Sequence, residues 1–397
     1  MSLKKLAILG GEPEFKKFEL LIKPSLPNLK EIEKQLLEVH NSVFITNGIY
    51  NRTFEEKFCE FIGNNQIHAL SVSNATIGLI IALAALQYLS NKNEVITTPF
   101  TFPATGYSIL WNNLKPVFAD IDFDTKNLSP EHTEKLINNN TLAIMPVYIF
   151  SNPPEIDNFI KIAKDNNVFL VFDAAQAIGS KYKDTYSGNF GDIEIFSFAP
   201  TKVLTTVEGG MITTKNEELY KIMKAIRDAG KVGEYDFDYL GINGRMTEYQ
   251  AIIGLYNLSK LDLFIEKRKQ IVEIYKKYLS NIPGINFQIE QKDSKLTYNY
   301  MVIFIDEEKF GLSRDNIYEI LKRENIQTKK YFYPSLVNMK PFEKFYKQDN
   351  QNLYNALIAS KTGLALPLYN TISEKVVKTI CNLIIEIYRN RDKINGL

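Results

Sequence analysis

Short apolar runs alternate with stretches of helical periodicity along the first half of the chain. His68–Ser73 (HALSVS), Asn93–Thr97, Lys115–Asp120 (KPVFAD), Thr141–Val147 (TLAIMPV) and Val168–Phe172 are apolar without alternation. Such runs predict strands buried on both faces. Helical periodicity fills Ile77–Ser90, Glu131–Asn138 and Asp157–Asn166, and ahead of these lie Asn28–Ser42 and Asn51–Ile62. The alternation predicts an α/β fold, a mostly parallel sheet covered by helices, in which ligands sit at the carboxyl ends of the strands. A helix at Leu219–Ala229 precedes a glycine- and aromatic-rich loop, Gly230–Gly244, and a mostly helical stretch from Arg245 to Ser280 that Pro283-Gly284 closes. Beyond it the pattern changes to a strand at Tyr300–Ile305 and helices at Arg314–Glu324 and Glu374–Arg391, a small α+β unit. The expected division is an N-terminal arm and helix over 1–50, a large domain over 51–265 and a small C-terminal domain over 266–397.

Composition narrows the chemistry. With 47 Lys+Arg against 46 Asp+Glu the net charge is +1, so no global field draws nucleic acid or a membrane. Two cysteines, Cys59 and Cys381, make no disulfide framework, and His40, His68 and His132 lie in no ligand or triad spacing, so no metal is expected. The apolar run Leu6–Leu9 is too short for a signal peptide and Ile77–Leu86 too short for a bilayer span, which predicts a soluble cytoplasmic protein. Neither G-x-G-x-x-G after a strand nor G-x-x-x-x-G-K-[ST] occurs.

The candidate chemistry centres on Ile195–Gly210, IFSFAPTKVLTTVEGG. Lys202 sits there in a short turn between two strand-like pieces, with Ser197 five residues before it and Glu208-Gly209-Gly210 after it. Upstream, VFLVFDAAQAIG ends a buried strand in Asp173. Alone, such a lysine reads as a solvated cation and such an aspartate as a strand cap. Together they suit pyridoxal phosphate (PLP): the lysine forms the Schiff base and the carboxylate keeps the pyridine nitrogen protonated. Ser73-Asn74-Ala75-Thr76 joins a strand to a helix N-terminus, whose unpaired N–H groups and positive dipole end form a phosphate cradle.

The motifs TNG, SNAT, PFTFPAT, VFDAAQAIG, FSFAPTKVLTTVEGG and GINGRMTEYQAIIG, in that order from about Thr46 onward, resemble the DegT/DnrJ/EryC1/StrS family of PLP-dependent nucleotide-sugar aminotransferases. The resemblance runs to about Pro367 and implies the aspartate-aminotransferase-like fold, PLP fold type I. It implies that Lys202 anchors PLP and shuttles the proton, that Asp173 pairs with the ring nitrogen, and that Gln176, on the same helical face, reaches the ring oxygen. Phe102 would stack on the ring, while Ala75, Thr76 and Ser197 would hold the phosphate. Asn243 would reach the phosphate from the second subunit of a homodimer with shared active sites. Thr46, Asn47, Arg245, Tyr331 and Tyr333 would line the sugar-nucleotide entrance. Two departures, Tyr148 where relatives carry His and Ala199-Pro200 where His plus a small residue is common, fall by expectation near the sugar pocket or the lysine turn.

The implied activity is amination of a nucleotide-linked keto sugar with glutamate as donor. The motifs look most like relatives acting on dTDP-4-keto-6-deoxyglucose at C4, for O-antigen, lipopolysaccharide or another surface glycan. The alternatives are C3 amination of the 3-keto isomer and a non-catalytic PLP-binding regulator.

Overall fold

The computed structural model describes residues 5–63, 66–345 and 352–396. Helices α1 (Leu29–Asn41) and α2 (Ile49–Phe61) precede the central sheet. Its strands are β1 (His68–Val72), β2 (Glu94–Thr97), β3 (Lys115–Phe118), β4 (Thr141–Met145), β5 (Phe169–Asp173), β8 (Ile193–Ser197) and β9 (Gly210–Thr214), with the short hairpin β6 (Lys181–Tyr182) and β7 (Thr185–Tyr186) between β5 and β8. Among the described residues the sheet has seven strands in the order β1-β9-β8-β5-β4-β2-β3. Only β9 runs against the others. The carboxyl ends of six strands therefore share one edge of the sheet.

Both faces of the sheet are covered, as unalternating apolar strands require. On β5, Leu170 and Phe172 enter a core with Phe54, Phe58, Phe159, Phe196 and Phe198. Val171, between them, enters the opposite core with Leu79, Leu83, Ile195 and Ile212. Helix α3 (Ala75–Gln87) is apolar all round and lies close over β8, because a Cβ on Gly78 would come within 3.0 Å of Ile195. Helices α4 (Pro103–Trp111), α5 (Pro130–Leu136), α6 (Ile156–Asn166) and α7 (Glu217–Arg227) complete the layers.

The helical stretch after Arg245 is two helices, α8 (Glu248–Leu258) and α9 (Leu261–Leu279), broken at Ser259-Lys260. Leu261 of α9 lies in the large core, whereas Ile271, Val272, Tyr275 and Leu279 lie in a separate C-terminal core. That core is built on a four-stranded sheet, β10 (Ile285–Phe287), β12 (Met301–Ile305), β14 (Gly363–Leu366) and β13 (Lys329–Lys330). The strand β11 (Ser294–Lys295) leaves it to pair with β6. The chain start is laid on this core: Leu6 is buried in it, and the Glu324 carboxylate accepts the N–H groups of Ala7 (2.7 Å) and Glu14 (2.8 Å). No helix among the described residues is long and apolar enough to cross a membrane.

Candidate active site

The carboxyl edge of the sheet brings the candidate residues together. Asp173 is the last residue of β5 and Ser197 the last of β8. Register sets Ser197 and Val72 on either side of Gly210, so the mouth of α3 lies beside Ser197. A Cβ on Gly210 would stand 2.8 Å from the Ala75 nitrogen, so only glycine lets β9 start there. The Asn74 side chain caps α3 by accepting the Ile77 N–H at 2.9 Å. The N–H groups of Ala75 and Thr76 precede it and have no acceptor within the helix. Phe102 leads into α4 and is 55% exposed, so a surface is free to stack.

Asp173 is buried and its carboxylate is held twice. Thr105 Oγ1 donates to Oδ2 at 2.7 Å and Ala175 N–H to Oδ1 at 3.1 Å. Burial pushes this carboxyl up, while Thr105, Ala175 and the Lys202 charge oppose it. The segment after β5 is a pair of turns closed by Ala177 N–H to Ala174 O (2.9 Å), not a helix. Gln176 therefore shares no helical face with Asp173. Its side-chain oxygen accepts the Phe150 N–H at 3.1 Å, which leaves its amide nitrogen as the group able to serve a ring oxygen.

Lys202 stands in a turn fixed by its own N–H to Ala199 O (3.0 Å) and by Thr206 N–H to Phe198 O (2.9 Å). Asn257 binds the Thr205 carbonyl from α8 at 2.7 Å, and Asn299 binds the Val203 N–H from the C-terminal unit at 3.1 Å. The ammonium lies 5.6 Å from the Tyr300 ring centre, and the Tyr300 hydroxyl bonds Thr201 Oγ1 at 3.2 Å. Burial raises that phenol, but Lys202, Thr201, Tyr331 and Lys329 together bring it below its ordinary value.

The remaining candidates fall in three places. Tyr331 is buried against Tyr300, ring centres 4.9 Å apart, so it backs the lysine. Tyr333 lines a cavity of about 1210 Å³ with Phe123, Lys126, Phe304 and Arg314; none of the other candidates lines that cavity. Thr46, Asn47, Arg245 and Asn243 gather elsewhere, around Asp228. Asn47 Nδ2 donates to Asp228 Oδ1 at 3.3 Å, Arg245 lies 3.9 Å from the same oxygen, and Asn243 pairs with Asp228 through the backbone. Thr46 pairs with Thr247, and Gly244 O accepts the Ser73 N–H at 2.8 Å, so this patch adjoins the approach to α3. Tyr148 is fully buried in the large core with Phe198, Val203 and Leu204 of the lysine turn, its hydroxyl 3.1 Å from Glu194 Oε2. Glu194 also accepts the Gly188 and Phe190 N–H groups, and burial pushes its carboxyl up to about 8.

Three residues beyond the motif reading belong to this architecture. Thr105 touches Asp173, and Tyr300 flanks Lys202. Glu248 accepts the N–H groups of Gly48 (3.0 Å), Tyr50 (2.8 Å) and Asn51 (3.0 Å), and so holds the TNG turn. Thr105 was visible in PFTFPAT, three residues after Phe102; Tyr300 carried no spacing signal.

A buried, doubly bonded carboxylate, a lysine facing it across the strand ends and a helix mouth that a Cβ at Gly210 would fill fit pyridoxal phosphate in its three parts. Fold and site define a PLP-dependent aminotransferase of fold type I. Residues 28–385 match the DegT/DnrJ/EryC1/StrS aminotransferase family, and the chain belongs to it. It is 36% identical over 366 residues to the dTDP-4-amino-4,6-dideoxy-D-glucose transaminase of Escherichia coli, covering 91% of this chain and 96% of that one. It is 35% identical over 369 residues to the GDP-perosamine synthase of Escherichia coli O157:H7, covering 92% and 98%. The crystal structure of DesI with its TDP-sugar product superposes with a TM-score of 0.91 at 29% identity, covering 98% of each chain. The protein is thus a sugar aminotransferase acting on nucleotide sugars.

Proposed function

We propose that the chain transfers the amino group of glutamate to C4 of dTDP-4-keto-6-deoxyglucose. The observation that carries the mechanism is the convergence of Lys202 and the buried Asp173 on one sheet edge, opposite the mouth of α3. The sugar assignment rests on the 36% identity to the Escherichia coli transaminase. When bound, pyridoxal phosphate supplies the electron sink. Lys202 Nζ would hold it covalently, and the same nitrogen would move the proton at the reacting carbon. Asp173 holds the proton on the ring nitrogen, and Phe102 fixes the ring plane by stacking. The N–H groups of Ala75 and Thr76, with the Ser197 hydroxyl, bind the phosphate. The Gln176 amide nitrogen serves the ring oxygen. Asn243 comes to the phosphate from a second copy of the chain, with Thr46, Asn47 and Arg245 beside it on the nucleotide path. We divide the chain as 1–50, 51–265 and 266–397, with α9 bridging the last two. The amino sugar feeds O-antigen or another surface glycan, and its loss from that glycan in a deletion strain is the readout.

The test is to incubate the PLP-loaded protein with glutamate and, in turn, dTDP-4-keto-6-deoxyglucose, its 3-keto isomer and the GDP-linked 4-keto sugar. NMR then locates the new amine. The expected result is a 4-amino dTDP sugar with one 2-oxoglutarate per turnover. Amination of the 3-keto or the GDP sugar alone would overturn the assignment.

A further inference from the structure

We propose that Thr101 and Thr105 form a buried hydroxyl relay that orients Asp173 and keeps it ionised, which makes Thr105 a positioning residue for the cofactor ring. The inference rests on Asp173 as the partner of the ring nitrogen. Thr105 Oγ1 lies 2.7 Å from Asp173 Oδ2 and 2.9 Å from Thr101 Oγ1. A threonine hydroxyl carries one proton and an ionised carboxylate none. The Thr105 proton therefore goes to Asp173, and Thr101 must donate to Thr105. All three side chains are buried, at 1% for Thr101, 0% for Thr105 and 4% for Asp173, so the carboxylate depends on protein donors to stay charged. An O–H donor to an ionised oxygen at this distance is a charge-assisted bond, among the stronger ones. Burial drives the Asp173 carboxyl up, and Thr105 is foremost among the groups that oppose it.

The placement in the chain adds a second role. Thr101 immediately precedes Phe102, Pro103 opens α4, and Thr105 is its third residue. One short segment thus presents the stacking ring and braces the carboxylate.

The test compares wild type with Thr105→Val, Thr105→Ser and Thr101→Val. Two readouts are taken on each: the PLP dissociation constant by titration, and the pH midpoint of the visible band of the loaded protein. Valine keeps the shape and removes the donor. Asp173 then draws the ring proton closer, which removes positive charge beside Lys202 Nζ and makes that nitrogen easier to protonate. Thr105→Val should weaken PLP binding about tenfold, the scale of one charge-assisted hydrogen bond, and raise the midpoint. Thr105→Ser should restore both values. Thr101→Val should move both the same way by less. A Thr105→Val midpoint equal to wild type overturns the proposal, even if affinity falls, since lost affinity alone is what a packing defect gives. If Thr105→Val does not fold, an unchanged midpoint in Thr101→Val overturns it. A wild-type protein with no visible band would instead contradict the reading of Lys202 and Asp173.

Discussion

Lys126 shows how local burial sets a residue's behaviour apart from its sequence type. Its backbone is left-handed (φ 60°), and its ammonium lies 4.0 Å from the Phe123 ring centre and 4.7 Å from that of Phe304, donating to the Phe123 carbonyl. Burial lowers its pKa to about 8 from 10.5, with Asp124 and Asp122 opposing. The sign follows from linkage: between these values the unfolded chain binds the proton and the folded chain does not, so stability rises with pH across that window. From pH 7 to 11 the residue should add about 3 kcal/mol to the unfolding free energy. Denaturant titrations of wild type and Lys126→Met check this; equal pH slopes for the two would contradict it. Nothing in the DFDTKN sequence marks this lysine as buried, because its partner Phe304 lies far along the chain. Lys202 and Asp173 were legible for the opposite reason: each sits within a long local motif with its glycines and strand. The placement of Gln176 was not legible, since the segment after Asp173 forms turns and its side chain is held by the Phe150 N–H, from a distant part of the chain.

At the scale of elements, unalternating apolar runs gave the central strands within a few residues. The two-residue strands β6, β7, β11 and β13 were invisible, since two residues carry no period. The helix at Tyr354–Thr362, which packs Ala356 and Ala359 inward, was missed because small apolar residues give almost no amphipathic contrast. The break between α8 and α9 was missed because Ser259-Lys260 contains neither Gly nor Pro. TNG predicts a turn, and the support for that turn comes from across the chain. Three N–H groups on one buried Glu248 carboxylate fix the start of α2 against α8, and each such bond to a charged group is worth about 1.5–3 kcal/mol.

At the scale of the molecule, the sheet edge, the turn of Lys202 and the C-terminal unit are tied together by Asn257 and Asn299. A large apolar area stays uncovered beside the TNG turn: Val43 is 87% exposed, and Phe44, Ile45 and Ile49 are also exposed. That surface and the exposed Asn243 motivate the shared-site dimer. Asn243→Ala and Lys202→Ala chains, each inactive alone, should regain activity when mixed, because a hybrid dimer holds one intact site. No recovery, with subunit exchange demonstrated, would count against sharing.

The most direct measurement is the visible absorption of the purified protein with PLP, for wild type and Lys202→Ala. Wild type should turn yellow, bleach with glutamate and recover with dTDP-4-keto-6-deoxyglucose. Lys202→Ala should fold yet show no lysine-bound band and no turnover. A Lys202→Ala protein with the wild-type band and turnover would contradict the assignment of Lys202.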